Sequence, residues 1–326
     1  MTTQRFSEEH QAFRKLVRTF VDKELAPHAD EWERDEMFPD WAFKRAGQLG
    51  ILGAHYPEDC GGGGGDYWFS VAKAEEYPHI GSAGVSMGLL VQSDMATPCI
   101  ADLGTREQID EFLKPALAGD RIVGLGVSEP DAGSDVAGIR TTARKVGGDY
   151  IINGAKTFIT NGTRASFITM LCKTDPDAGY GGISIILVPT DVPGFQVAKK
   201  LKKLGNFSSD TAELALEDVK VPARYLLGEE GRGFYYLMQN FQTERLIAAV
   251  GGVAGAQIAV DRSIAYGRDR MAFGKPIIKR EVWQHRFVDA LTSIEAARQL
   301  TYHAVDLYNQ RRYVEREPLL CFDTVQ

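Results

Sequence analysis

The chain has 326 residues, 44% hydrophobic and 25% charged, the proportions of an ordinary globular protein large enough to divide its core over two or three domains. A formal net charge of −7 argues against nucleic-acid binding as the main task. Cys60, Cys99, Cys172 and Cys321 stand far apart with no Cys-x-x-Cys pair, and no two of the six histidines have metal-ligand spacing; buried reduced thiols are expected, with no disulfide framework and no metal site.

The first ten residues are polar and lack a secretory apolar core, and no apolar run is judged long enough to cross a membrane, so a cytoplasmic protein with no membrane partner is expected. Over residues 6–25 the apolar side chains of Phe13, Leu16, Val17, Phe20 and Val21 recur at helical spacing. Ser7 is placed as a cap, with Glu8 and Glu9 in the first turn. Helical patterns continue over 69–76, 85–90 and 107–117, and the five glycines at 61–65 predict a flexible loop. At Ala118-Gly119-Asp120 the texture changes. Short β-rich runs follow at 122–127, 150–152, 167–171, 183–189 and 212–219, each bounded by Gly, Pro, Asn or Asp. After Pro222 and Gly228 the helical period returns over 234–266 and 281–308. Segregated helices, strands and helices make this an α+β chain: a helical domain over 1–118, a compact β domain over 119–226 and a helical bundle over 227–326.

Two glycine-rich stretches fail as nucleotide fingerprints. Gly251-Gly252-Val253-Ala254-Gly255 lies inside a helical pattern and not after a strand, and Gly274-Lys275 is followed by proline. A nicotinamide-binding Rossmann domain is therefore not expected, and the small residues at 248–256 predict a close helix–helix contact.

The most informative stretch is Gly126-Val127-Ser128-Glu129-Pro130-Asp131-Ala132-Gly133-Ser134-Asp135-Val136-Ala137-Gly138. An apolar run ends in Ser128 and Glu129, Pro130 forces an extended exit, and the Ala-Gly-Ser loop that follows offers backbone N–H groups able to cradle a phosphate. By composition alone such a stretch is better explained by a turn. The ordered string resembles the flavin-loop signature of the acyl-CoA dehydrogenases. Lys156-Thr157-Phe158-Ile159-Thr160-Asn161-Gly162 resembles that family's second flavin segment, and Arg270-Met271-Ala272-Phe273-Gly274-Lys275-Pro276-Ile277 its Arg-x-x-Phe-Gly-Lys-Pro-Ile turn. All three occur in the family's order, and the resemblance covers nearly the whole chain.

The resemblance implies a three-part fold, with an N-terminal helical domain, a middle β-barrel-like domain and a C-terminal helical bundle. It also implies FAD as cofactor and an acyl-CoA thioester as substrate. The family's reaction removes the α proton with a base and the β hydrogen as hydride to the flavin, leaving a trans-2-enoyl-CoA. Most members carry the base on a late loop; an isovaleryl-CoA and long-chain subset carries it on a mid-bundle helix in a Glu-Arg-Leu context. Thr243-Glu244-Arg245-Leu246 fits the second arrangement, which implies Glu244 as the base, semi-buried beside Phe241 and Ile247 with a raised pKa.

By the same resemblance Leu125, Val127, Ser128, Gly133 and Ser134 run along the flavin, with Ser128 bonding its pyrimidine side. Phe158, where tryptophan is commoner, lies against the ring with Ile159 beside it, and Thr160 reaches toward N5. Arg270 and Phe273 serve the FAD of a neighbouring subunit, Arg270 at the pyrophosphate, its alternative being a structural salt bridge. Glu281 stands near the shared cofactor where a glutamine is usual. Ser134, Tyr235, Gln242, Thr243 and Arg245 are implied as substrate contacts, Tyr235 having the alternative of an ordinary core aromatic.

The implied electron acceptor is an electron-transfer flavoprotein, the implied assembly a homotetramer or homodimer, and the implied location of a processed organellar form the mitochondrial matrix. Helical sequence stops at Glu317-Pro318-Leu319-Leu320-Cys321-Phe322, where family members continue, so the bundle is expected to be incomplete: either a fragment or a shortened member with exposed apolar surface. Two other functions fit the same residues, a flavin acyl-CoA oxidase and a non-catalytic CoA-binding or assembly subunit lacking flavin.

Overall fold

A computed structural model describes residues 5–310; Cys321 and the 317–322 segment lie outside the described residues. The first helix, α1 (Glu8–Phe20), starts as its sequence predicts. The Ser7 Oγ accepts the His10 N–H and the His10 ring accepts the Ser7 N–H, a reciprocal cap with histidine in the place usually taken by Glu or Gln. A π-helical turn, Val21–Leu25, continues it. The helices α2 (Ala29–Arg34) and α3 (Trp41–Gln48) follow, then α4 (Tyr67–Glu76) and α5 (Ala83–Leu90). A second π turn, Val91–Met95, extends α5, and after α6 (Pro98–Leu103) a third, Ile109–Leu113, joins α7 (Arg106–Gln108) to α8 (Lys114–Leu117). Short segments such as α2, α3 and α6 hold too few turns to show a period, which is why the sequence pattern misses them.

The glycine run differs from expectation. The N–H groups of Gly61, Gly62, Gly63, Gly64 and Gly65 all donate to carbonyls between Gly53 and Glu58, and a Cβ at Gly62 would stand 2.2 Å from the Tyr56 carbonyl oxygen. These glycines are required by close backbone packing, not by flexibility.

The middle of the chain forms β1 (Val123–Gly126), β2 (Thr142–Val146), β3 (Asp149–Thr160), β4 (Phe167–Lys173), β5 (Ile183–Pro189), β6 (Phe195–Lys200), β7 (Thr211–Pro222) and β8 (Leu226–Leu227). They hydrogen-bond in the order β6-β7-β3-β2-β4-β5-β8, with β1 added in parallel along β4. β2 and β6 escape the sequence pattern because each buries at most one side chain, leaving no alternation to detect. β3 is much longer than its apolar run suggests and absorbs the second flavin-like motif. Its register against β7 shifts between Lys156 and Ile159, a bulge that re-aims the residues between them.

The chain then returns to helix in α9 (Gly233–Asp269), a two-stranded turn of β9 (Met271–Ala272) and β10 (Lys275–Pro276), and α10 (Glu281–Asn309). Leu246, Ile247, Ala249 and Val250 of α9, with Ala304 and Val305 of α10, bury in one core with Val17, Phe20, Trp32 and Phe43 of the N-terminal helices. Two expectations change here. α9 is long and apolar enough, by length and composition, to cross a membrane, with a mean hydropathy of 1.2 over its best window. It packs, however, against α4, α10 and β5 within the fold. Residues 248–256 of α9 do meet α10, but not through their glycines: a Cβ on Gly251 or Gly255 would meet nothing within 4 Å. Val253 and Ala256 pack with Ile294 and Ala297 of α10, while Val282, Trp283, Val288 and Leu291 of α10 stay exposed.

Candidate active site

Three elements converge on one cleft of ≈ 420 Å³. β1 and the loop after it contribute Leu125, Val127, Ser128, Gly133, Ser134 and Val136, β3 contributes Phe158 and Ile159, and α9 contributes Phe241, Glu244 and Arg245.

The loop is held at its base. Glu129 is buried and its carboxylate accepts the N–H groups of Arg140 and Thr141 and the Lys156 Nζ, which also donates to the Val127 carbonyl. Both ends of the 130–139 segment are thereby tied to β3. Burial works to raise the Glu129 pKa, but the Lys156 charge and the hydrogen bonds carry it below the ordinary value.

At the bulge in β3, Phe158 adopts a left-handed φ of 60° and leaves 70% of its surface exposed. An exposed aromatic face on a strained backbone is unfavourable in isolation and is found at ligand clamps. Together with the hydroxyls of Ser128 and Ser134 and the open backbone at Gly133, which has nothing within 4 Å of its Cβ direction, this suits a flat ring with a polar tail. The residues present therefore fit FAD.

Glu244 enters from the opposite wall. Its helix is fixed in rotation because Leu246 and Ile247 are fully buried, so the turn before Ile247 presents Glu244 to the cleft. Glu244 is half-buried and lines the cleft. Burial pushes its pKa up to about 8, opposed by a hydrogen bond from Asn240 and by the charge of Arg245. The Asn240 Nδ2 lies 2.6 Å from the Glu244 Oε1. Behind it, Cys99 is buried and its thiol is pushed up, mainly by burial and further by Glu244. The Arg245 guanidinium sits over the Phe241 ring, 5.5 Å from its centre.

Nine of the residues singled out from sequence meet here: Leu125, Val127, Ser128, Gly133, Ser134, Phe158, Ile159, Glu244 and Arg245. Val136 and Phe241 also line the cleft; both lie within or beside the motifs, and helical spacing places Phe241 one turn before Arg245. The remaining candidates stand elsewhere. Thr160 is half-buried at the end of β3, paired with Thr211. Thr243 is buried, its hydroxyl donating to the Asn240 carbonyl while its own carbonyl accepts the Tyr67 hydroxyl, and Gln242 is half-buried beside it. Tyr235 is 48% exposed, lying edge-on to Phe234 and beneath Arg232, so it is not a core aromatic.

Arg270, Phe273 and Glu281 are exposed around the turn that links α9 to α10, Phe273 with a left-handed φ of 52°. At a helical rise of 1.5 Å per residue, Arg270 is roughly 40 Å along the rod from Glu244, too far to reach this cleft. Among the described residues it makes no salt bridge. Among the described residues no group of three or more His, Cys, Asp or Glu side chains is arranged to hold a metal ion.

Comparison with known proteins agrees with this arrangement. Three family models match in order: the acyl-CoA dehydrogenase N-terminal domain over residues 7–120, its middle domain over 124–219 and its C-terminal domain over 231–321. The mitochondrial long-chain specific acyl-CoA dehydrogenase of Rattus norvegicus is 38% identical over 309 residues, which cover 94% of this chain and 71% of that protein. An acyl-CoA dehydrogenase of Bacillus subtilis is 38% identical over 304 residues, 93% of this chain and 80% of that protein. The crystal structure of a probable acyl-CoA dehydrogenase from Mycobacterium abscessus matches with a TM-score of 0.95 at 38% identity, covering 98% of this chain and 85% of that one. The helical, β and helical parts, their order and their sequence thus agree: this chain is an enzyme of the acyl-CoA dehydrogenase family, whose members are FAD-dependent flavoproteins.

Proposed function

We propose that the cleft is the site of α,β-dehydrogenation of an acyl-CoA thioester to a trans-2-enoyl-CoA, with Glu244 as the base. One observation carries this: a desolvated carboxylate opens into the same cleft as the flavin-loop residues and the exposed face of Phe158. Bound FAD supplies an acceptor for the two electrons and the hydrogen that leave Cβ. Leu125, Val127, Ser128, Gly133, Ser134, Phe158 and Ile159 would hold it, Phe158 facing the ring.

The α C–H of a thioester is a very weak acid, so the base must be strong and positioned. A carboxylate with a pKa near 8 is a stronger base than an exposed glutamate, and the apolar walls of Phe241, Val136 and Ile159 keep water from it. Arg245 and Ser134 lie where the thioester's CoA arm would enter, with Tyr235 and Gln242 farther along α9. Arg270, Phe273 and Glu281 serve the cofactor of a second subunit, which makes the working form a homodimer or homotetramer. An electron-transfer flavoprotein takes the electrons onward.

The test is Glu244→Gln. It is expected to keep the yellow colour and acyl-CoA binding while anaerobic bleaching of the flavin slows by about 10²–10⁴-fold or more. Bleaching at the native rate would overturn the assignment.

A further inference from the structure

We propose that Asn240 is a positioning residue for the reaction, its side-chain amide oriented by the Met95 carbonyl so that it donates to the Glu244 carboxylate and holds it aimed into the cleft. The inference rests on Glu244 being the base.

Asn240 stands one helical turn before Glu244 on the same face of α9 and is 7% exposed. Its Nδ2 is 2.6 Å from the Glu244 Oε1 and 2.9 Å from the Met95 carbonyl oxygen, so both N–H bonds of the amide have an acceptor. The Asn240 Oδ1 is buried with no partner. Turning the amide over would set Oδ1 against two acceptor oxygens, so the donor orientation is enforced although it leaves an orphaned carbonyl. A buried unpaired atom of this kind calls for an explanation, and holding the carboxylate supplies one.

The acceptor that orients the amide is itself fixed. Met95 is the last residue of the π turn that extends α5, a local irregularity of the sort that recurs at functional sites. The preceding residue, Asp94, is buried and accepts from the Lys73 Nζ at 2.8 Å, the Ser70 hydroxyl at 2.7 Å and the Ser93 hydroxyl at 2.6 Å. Ser70 in turn meets the His55 Nδ1 at 2.8 Å.

The other groups facing Glu244 are few. Arg245 neighbours it on α9, and Cys99 approaches from α6 as a neutral thiol with Asp102 beyond it. Asp94, behind Met95, is paired with Lys73. The residues of β1, the loop and β3 that line the cleft carry no ionisable side chain. The amide is therefore the uncharged group that bears directly on the carboxylate, and its donation favours the ionised form against burial.

The experiment is the pH dependence of anaerobic flavin bleaching by acyl-CoA in the FAD-loaded protein. In Asn240→Leu the acid limb should move up by about one pH unit, so that bleaching is about tenfold slower at pH 7 and within about twofold of native at pH 9.5. Asn240→Asp, of the same size, should move the limb further, because it sets a second carboxylate against Glu244. It decides the matter if the leucine variant does not fold. An unmoved limb in a folded, yellow variant overturns the proposal, and so does an equal loss at every pH, the mark of a merely structural role. Retained bleaching in Glu244→Gln would remove the base itself; an inactive Glu244→Gln with unshifted Asn240 variants would remove only this inference.

Discussion

The Lys156 Nζ lies 2.7 Å from the Glu129 Oε1 in a fully interior ion pair, and that pair joins the strand carrying Phe158 to the loop carrying Ser134. Removing one partner of a buried pair leaves the other charge unpaired, at a cost of ~3–5 kcal/mol. Lys156→Met is thus expected to lower the unfolding free energy by that amount, seen as a lower denaturant midpoint, and to shed FAD on purification. Equilibrium unfolding and the flavin-to-protein absorbance ratio measure the two effects.

The same pair predicts a pH response. The Glu129 pKa is depressed in the folded state, so its contribution to stability is present above the unfolded value of 4.5 and is lost as pH falls through the lower, folded value. Relative to Glu129→Gln, the native protein should lose its advantage below pH ~4.5. Thermal unfolding of both proteins between pH 3 and 7 checks this.

Glu244 has the opposite sign. Its folded pKa of about 8 lies above the ordinary 4.5, so the stability linked to its protonated form is complete below pH 4.5 and drains away as pH rises through 8. Glu244→Gln is neutral at every pH and should be the more stable protein at pH 9, by roughly 5 kcal/mol, with the gain fading toward pH 4.5. Denaturation of the flavin-free proteins at the two pH values is the measurement. An equal difference at both would show that the carboxyl is not desolvated.

Phe158 contributes little to the core, since it is 70% exposed at a φ of 60°. Phe158→Gly relieves the left-handed strain but frees the unfolded chain, two effects of similar size and opposite sign. The flavin-free protein should therefore change in stability by less than ~1 kcal/mol. FAD retention should nevertheless fall at least tenfold, as fluorimetric titration would record.

Val282, Trp283, Val288 and Leu291 share one helix and are each more than a third exposed. Leu291→Lys with Val288→Lys should shift the protein to smaller species in light scattering without loss of helix content by circular dichroism.

Much of the site was legible before folding was considered, because its chemistry is written in contiguous strings. Ser128, Gly133 and Ser134 lie in one loop motif, Phe158 and Ile159 in one strand motif, and Glu244 and Arg245 in one helical pair. The long, strongly periodic helices α9 and α10 were legible for the same reason. β2 and β6 were not, since strands that bury one residue or none leave no alternation. The glycine run was misjudged because composition cannot show that every N–H in it has a carbonyl partner.

Sequence alone determined the order of helices, strands and helices, the family, and the residue types available for holding a flavin and moving a proton. It could do so because period, punctuation and motif are local properties of the chain. Only the tertiary structure decided that Glu244 lines the cleft, that Asn240 bridges it to the Met95 carbonyl, and that Lys156 reaches Glu129. Those contacts join residues far apart in sequence, and a pKa is set by what surrounds a carboxylate in space rather than by its neighbours along the backbone.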